Sequence, residues 1–103
     1  MRALISNPDG NLEVVEIRQA LDQYQELVGG YIEQLTLQNN CVAIFGEDAR
    51  ITGSPQNSKA NYIIQQETGQ NYDIVGSVLF LGFDQDTSDY IETPEHFIER
   101  YAK

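Results

Sequence analysis

From Arg50 to Asn61 the chain reads Arg-Ile-Thr-Gly-Ser-Pro-Gln-Asn-Ser-Lys-Ala-Asn, with two bases, three side-chain amides and no acid. Elsewhere acids dominate: sixteen against six bases, for a formal charge of −10. The local reversal points to a small polar or anionic ligand. Arg50 and Lys59 supply positive charge. The first amides of a helix after Ser58 supply fixed donors and a favourable dipole for an anion. Gln56, Asn57 and Asn61 can both donate and accept, as recognition of a base or ribose requires. Glu47 opens the same loop, and Tyr31 and Tyr62 are rings that could stack on a ligand or serve the core. The expected ligand is a nucleotide-like molecule meeting Tyr31, Glu47, Arg50, Gln56, Asn57, Lys59, Asn61 and Tyr62. An ordinary polar loop is the competing reading of the same residues.

Other chemistries are poorly supplied. His96 and Cys41 are the only residues of their kinds. Cys41 opens an apolar strand, where a thiol packs as an inert small group. His96 falls in the first turn of a helix on an acidic tail. A structural zinc site wants four Cys or His ligands, and the chain has two in total. Many carboxylate pairs are possible, and none is singled out as a hydrolase pair. The stretch from Asp84 to Glu95 spaces oxygen side chains somewhat like a calcium loop. Asp89 stands where the sharp turn needs Gly, however, and Pro94 starts a helix within it. A solvated acidic loop is the alternative. Gly29-Gly30 lies at a helix C-terminus, a poor place for an anion. No catalytic residue, metal or cofactor is assigned, and the chain reads as a binding protein rather than an enzyme.

Charge narrows the partners further. A net −10 repels nucleic-acid phosphates and anionic membrane surfaces, and would steer a basic protein surface toward this one. One cysteine allows no internal disulfide. No apolar run reaches a membrane span, and no signal-peptide layout is present, so a cytoplasmic protein is expected. The 103 residues suit one domain, 1–103. A small core and open sheet edges point to a homodimer.

The elements that must position these residues follow from periodicity. Arg2 to Ser6 and Leu12 to Ile17 read as strands joined by Asn7-Pro8-Asp9-Gly10, a strong hairpin signal. In Arg18 to Val28, Leu21, Tyr24, Leu27 and Val28 form one helical stripe. Gly29 and Gly30 end it as a structural pivot. Tyr31 to Leu37 and Cys41 to Phe45 form a second hairpin, its second strand apolar on both faces. Residues 46–57 read as a loop, with a short strand at Arg50-Ile51-Thr52. Ser58 is the expected cap of a helix to Gln66, with Ala60, Ile63 and Ile64 on one face. Asp73 to Gly82 is the expected central strand, with Gly76 where another backbone or a ring approaches closely. Thr93 is the expected cap of a last helix. The fold class is α+β: a mostly antiparallel sheet of about five strands with two or three helices.

Three blocks of the chain resemble the domain-of-unknown-function family 3846, short proteins of phages and bacteria. They are Met-Arg-Ala-Leu-Ile with the following Asn-Pro-Asp-Gly, then Leu27-Val-Gly-Gly-Tyr-Ile-Glu33, then Phe45-Gly-Glu-Asp-Ala-Arg-Ile-Thr-Gly-Ser-Pro-Gln-Asn57 with Lys59-Ala60-Asn61 and Asp73-Ile-Val-Gly76. Where the family tends to a basic pair after the loop asparagine, this chain has Ser58 and a single Lys59. The resemblance implies a phage or mobile-element context, hence the cytoplasm of a bacterial host, and no activity. By analogy with small acidic phage proteins, it leaves two roles open. The protein could be an anti-defence protein that sequesters a nucleotide-like signal. It could instead be an acidic decoy for a host nucleic-acid-binding or defence protein.

Overall fold

The computed structural model describes residues 1–102. Strand β1 (Arg2–Ser6) turns back as β2 (Leu12–Glu16). At the turn Gly10 takes φ 93° and donates its N–H to the Asn7 carbonyl at 3.0 Å. Helix α1 (Leu21–Val28), strands β3 (Ile32–Thr36) and β4 (Cys41–Gly46), and helix α2 (Ser58–Thr68) follow. Strands β5 (Val78–Asp84) and β6 (Asp89–Ile91) and helix α3 (Glu95–Tyr101) complete the fold. Every strand pair is antiparallel, in the order β2-β1-β5-β4-β3. Strand β6 adds to β5 beyond the end of β1, making six strands. The architecture is α+β.

Strand β5 is central because both its faces are covered. Val78, Leu79, Phe80 and Leu81 are all fully buried. Val78 and Phe80 pack with Leu4, Ala43, Ile63, Ile64 and Phe97, under α2 and α3. Leu79 and Leu81 pack with Ala3, Ile44, Tyr24 and Val28, under α1. Burial on two sides explains why β4 and β5 read as continuous apolar runs.

Several boundaries differ from expectation. Helix α1 starts at Leu21, not Arg18, because the side chain of Gln23 accepts the Arg18 amide at 3.2 Å and Ala20 is extended. Leu21 is therefore exposed, and Tyr24 and Val28 carry the buried stripe. No strand forms at 50–52; the segment turns, and Gln56 bridges to Val75 instead. Asn57 caps α2, not Ser58, accepting from the Ala60 amide at 3.0 Å. The central strand begins at Val78, since Gly76 at φ 81° breaks the extended run. The neighbours of Gly76 are neither a backbone nor a ring: a Cβ there would lie 3.4 Å from Ala49 Cβ and 3.5 Å from Ser54 Cβ, and it is the positive φ that calls for Gly. Thr93 does not cap α3. Its Oγ1 accepts from the Leu4 amide at 2.9 Å and donates to the Phe80 carbonyl at 2.5 Å, bridging β1 and β5. Part of the acidic stretch forms a hairpin: β6 pairs with β5, and Asp84 Oδ1 accepts the Asp86 amide at 2.9 Å.

At the end of α1, Gly29 and Gly30 have φ of 86° and 148°, and both amides donate to the Gln25 carbonyl, at 2.8 and 2.9 Å. A Cβ at either position meets no atom within 4 Å, so any penalty there lies in the backbone alone. Left-handed φ costs a residue with a Cβ about 1–2 kcal/mol, and the more extended positive φ of Gly30 costs more, about 2–3 kcal/mol. Urea unfolding should thus rank wild type above Gly29→Ala and Gly29→Ala above Gly30→Ala. Coincident midpoints for all three would show that this junction tolerates side chains.

Candidate functional site

Asn57 is the residue around which the site is organised. It is wholly buried, and its amide reaches three segments. Oδ1 accepts from Ala60 N at 3.0 Å and from Ser6 Oγ at 3.2 Å. Nδ2 donates to the carbonyls of Ser6 and Gly76, each at 2.9 Å. Asn57 is committed to the fold and offers no group to a ligand. Asn61 is committed in part, since its amide donates to the Ile74 carbonyl at 3.0 Å and accepts the Ile74 amide at 2.9 Å.

The remaining candidates separate into different places. Arg50 and Glu47 line a groove of about 340 Å³ beside β3, with Glu33, Phe45, Tyr72 and Asp73. There the Arg50 guanidinium lies 3.2 Å from the Asp73 carboxylate and also donates to the Asp73 carbonyl. Gln56 donates to Asp73 Oδ1 at 2.7 Å. One carboxylate thus takes up both the cation and the amide. Tyr31 stands apart from Lys59, Asn61 and Tyr62, over a shallow hollow with Gly30 and Asp48.

Lys59 and Tyr62 line a second cavity, of about 260 Å³, between α2 and α3. Its wall is Lys59, Tyr62, Ile63 and Gln66 from α2, and Arg100 and Tyr101 from α3. Steps of three and four residues put the α2 members on one helical face. Among the described residues Arg2, Arg18, Arg50 and Arg100 each pair with a carboxylate, and Lys59 makes no such pair. Beneath the cavity Glu67 is buried, accepting from Arg100 Nη1 at 3.2 Å and from the Tyr101 hydroxyl. Burial, and then the bond to Glu67, push the Tyr101 phenol well above its ordinary value, so it stays a donor. Arg100 keeps further donors of its planar fork for other partners.

Burial pushes the Cys41 thiol up to about 11, which disfavours the reactive thiolate. Among the described residues no group of three or more His, Cys, Asp or Glu is placed to hold a metal ion, and no helix is long and apolar enough to cross a membrane.

The match of the family model to residues 1–103 decides the relationship. The chain belongs to the family described as domain of unknown function DUF3846. No curated protein and no solved structure matches it. In this DUF3846 chain two of the residues expected from the sequence, Lys59 and Tyr62, line this cavity, together with Gln66, Arg100 and Tyr101, which the sequence did not single out. Gln66 was within reach, four residues after Tyr62 on the same face. Arg100 and Tyr101 join only through the packing of α3 on α2.

The structural role of Asn57 is open to a direct check. Asn57→Ala removes four hydrogen bonds and strands buried partners, a loss of about 3 kcal/mol or more. Thermal unfolding should show this, whereas Lys59→Ala should leave the melting temperature within experimental scatter. An Asn57→Ala protein as stable as wild type would remove Asn57 from the centre of this description.

Proposed function

We propose that this protein is a non-enzymatic binding protein that holds a nucleotide-like anion between α2 and α3. The observation that carries the reading is Lys59. In a chain of net −10, it is the one described base without a carboxylate partner, and it shares a cavity with a second cation, Arg100. The same cavity has a ring 58% exposed at Tyr62 and an amide at Gln66. Lys59 and the donors that Arg100 keeps beyond its pair with Glu67 suit a phosphate, an exposed ring suits a base, and an amide suits base edges or hydroxyls. The volume favours one nucleotide unit over a larger ligand filling the cavity. Both cations are open to water, so each contact contributes about 1 kcal/mol or less, and affinity should fall as salt rises. In the phage context implied by the family resemblance, holding such a molecule would lower the free concentration of a host signal. This is an anti-defence role without chemistry, in the cytoplasm of the host.

A second reading draws on a different observation. Glu13 and Glu16 on β2 and Glu33 on β3 are exposed along the two outer strands of the sheet. That placement favours an acidic inhibitor occupying a basic host protein.

Calorimetry with AMP, ADP-ribose and cyclic dinucleotides tests the first reading. At least one should bind, and Lys59→Glu should weaken it tenfold or more, since about 1.4 kcal/mol suffices for that factor. Arg50→Ala, in the other groove, should leave binding unchanged. Equal binding by Lys59→Glu would displace the site, and no binding by any of the three would leave the decoy reading in its place.

A further inference from the structure

The groove beside β3 adjoins a free sheet edge. Strand β3 ends the strand order, and it pairs with β4 alone. The Tyr31 carbonyl accepts from the Glu47 amide, and the Leu37 amide donates to the Cys41 carbonyl, both at 2.8 Å. Odd-numbered residues of β3 therefore turn their backbone groups toward β4. Ile32, Gln34 and Thr36 turn theirs outward. The side chains of Glu33 and Leu35 lie on the groove side, over a bed that includes Phe45 and Tyr72.

We infer that β3 accepts an extended basic segment of a partner protein as an added antiparallel strand. Backbone bonds to Ile32, Gln34 and Thr36 would hold it, and alternate side chains would enter the groove. Charge selects the occupant. Asp73 is neutralised by Arg50, whereas Glu33 and Glu47 make no ion pair among the described residues. Lysine or arginine at alternate positions of the segment answers both carboxylates, with its stem over Leu35 and Phe45. Two exposed apolar residues adjoin this region in the chain: Tyr31, 69% exposed, just before β3, and Ile51, 86% exposed, just after Arg50. A second copy of this acidic chain would bring the same unpaired carboxylates to the edge. The inference uses neither Lys59 nor the cavity between α2 and α3.

The probe is the peptide acetyl-Lys-Thr-Lys-Val-Lys-Thr-amide, added to the intact protein and followed by amide hydrogen exchange and calorimetry. Exchange should slow at Ile32, Gln34 and Thr36. Glu33→Gln/Glu47→Gln should weaken binding at least tenfold, and Lys59→Glu should leave it within twofold. In the antiparallel arrangement the Thr and Val amides face β3, so N-methylation at those three positions should abolish binding. Four results would each overturn the inference: no binding, full binding by the N-methylated peptide, protection at Leu12, Val14 and Glu16 instead, or protection at β3 that rises with protein concentration alone.

Discussion

The side-chain amide of Asn57 makes four hydrogen bonds inside the protein, two accepted and two donated, which saturates the group. Through it the start of α2, the end of β1 and the turn at Gly76 are fixed to one another. Each of these elements matters to the surface. The start of α2 sets where Lys59 and Tyr62 project. The turn at Gly76 sets where β5 begins, hence the register against β1 and β4. Residues 72–75 between them wall the groove, held by Asn61 on Ile74 and by Arg50 and Gln56 on Asp73. A polar group this deep is costly unless every valence is met, and among the described residues no buried side-chain nitrogen or oxygen lacks a partner.

Much of the fold was legible because it rests on local physics. The Asn-Pro-Asp-Gly turn, the paired glycines after α1 and the doubly covered β4 and β5 all announce themselves through residue type or hydrophobic run. What the sequence hides is where polar side chains spend their hydrogen bonds. Ser58 and Asn57 are both good caps, and the chain uses Asn57 because its longer amide also reaches Ser6 and Gly76. Thr93 before Pro94 looks like a cap and instead spans two strands, 89 residues from Leu4 and 13 from Phe80. Strand β6 stayed hidden because three residues, Asp89-Tyr90-Ile91, are too few to carry a period.

The site shows the same division. Arg50 and Lys59 look alike in the sequence, nine residues apart in a stretch without acids. In the folded chain Asp73 closes on Arg50, while among the described residues no carboxylate closes on Lys59. The chain thus sorts its charge into separate places: a cationic cavity between two helices, and an acidic groove along a strand edge. Screening at physiological salt acts over about 8 Å, so each place presents its own sign to an approaching partner rather than the average of the whole.

Strand β1 is made early in the chain, yet its second neighbour is β5, with Leu4 opposite Phe80. The Arg2 carbonyl also waits for the amide of Thr93, at 3.0 Å. A chain leaving the ribosome can close its first hairpin and wind α1 at once, since both need only near neighbours. The sheet cannot assemble until Phe80 has cleared the exit tunnel, and until then β1 and β4 each expose an apolar edge with no strand between them. Loops of this span close slowly relative to local turns. The sheet therefore assembles in a late, nearly all-at-once step, and a chain stalled before β5 would be a substrate for chaperones and proteases rather than a smaller folded protein.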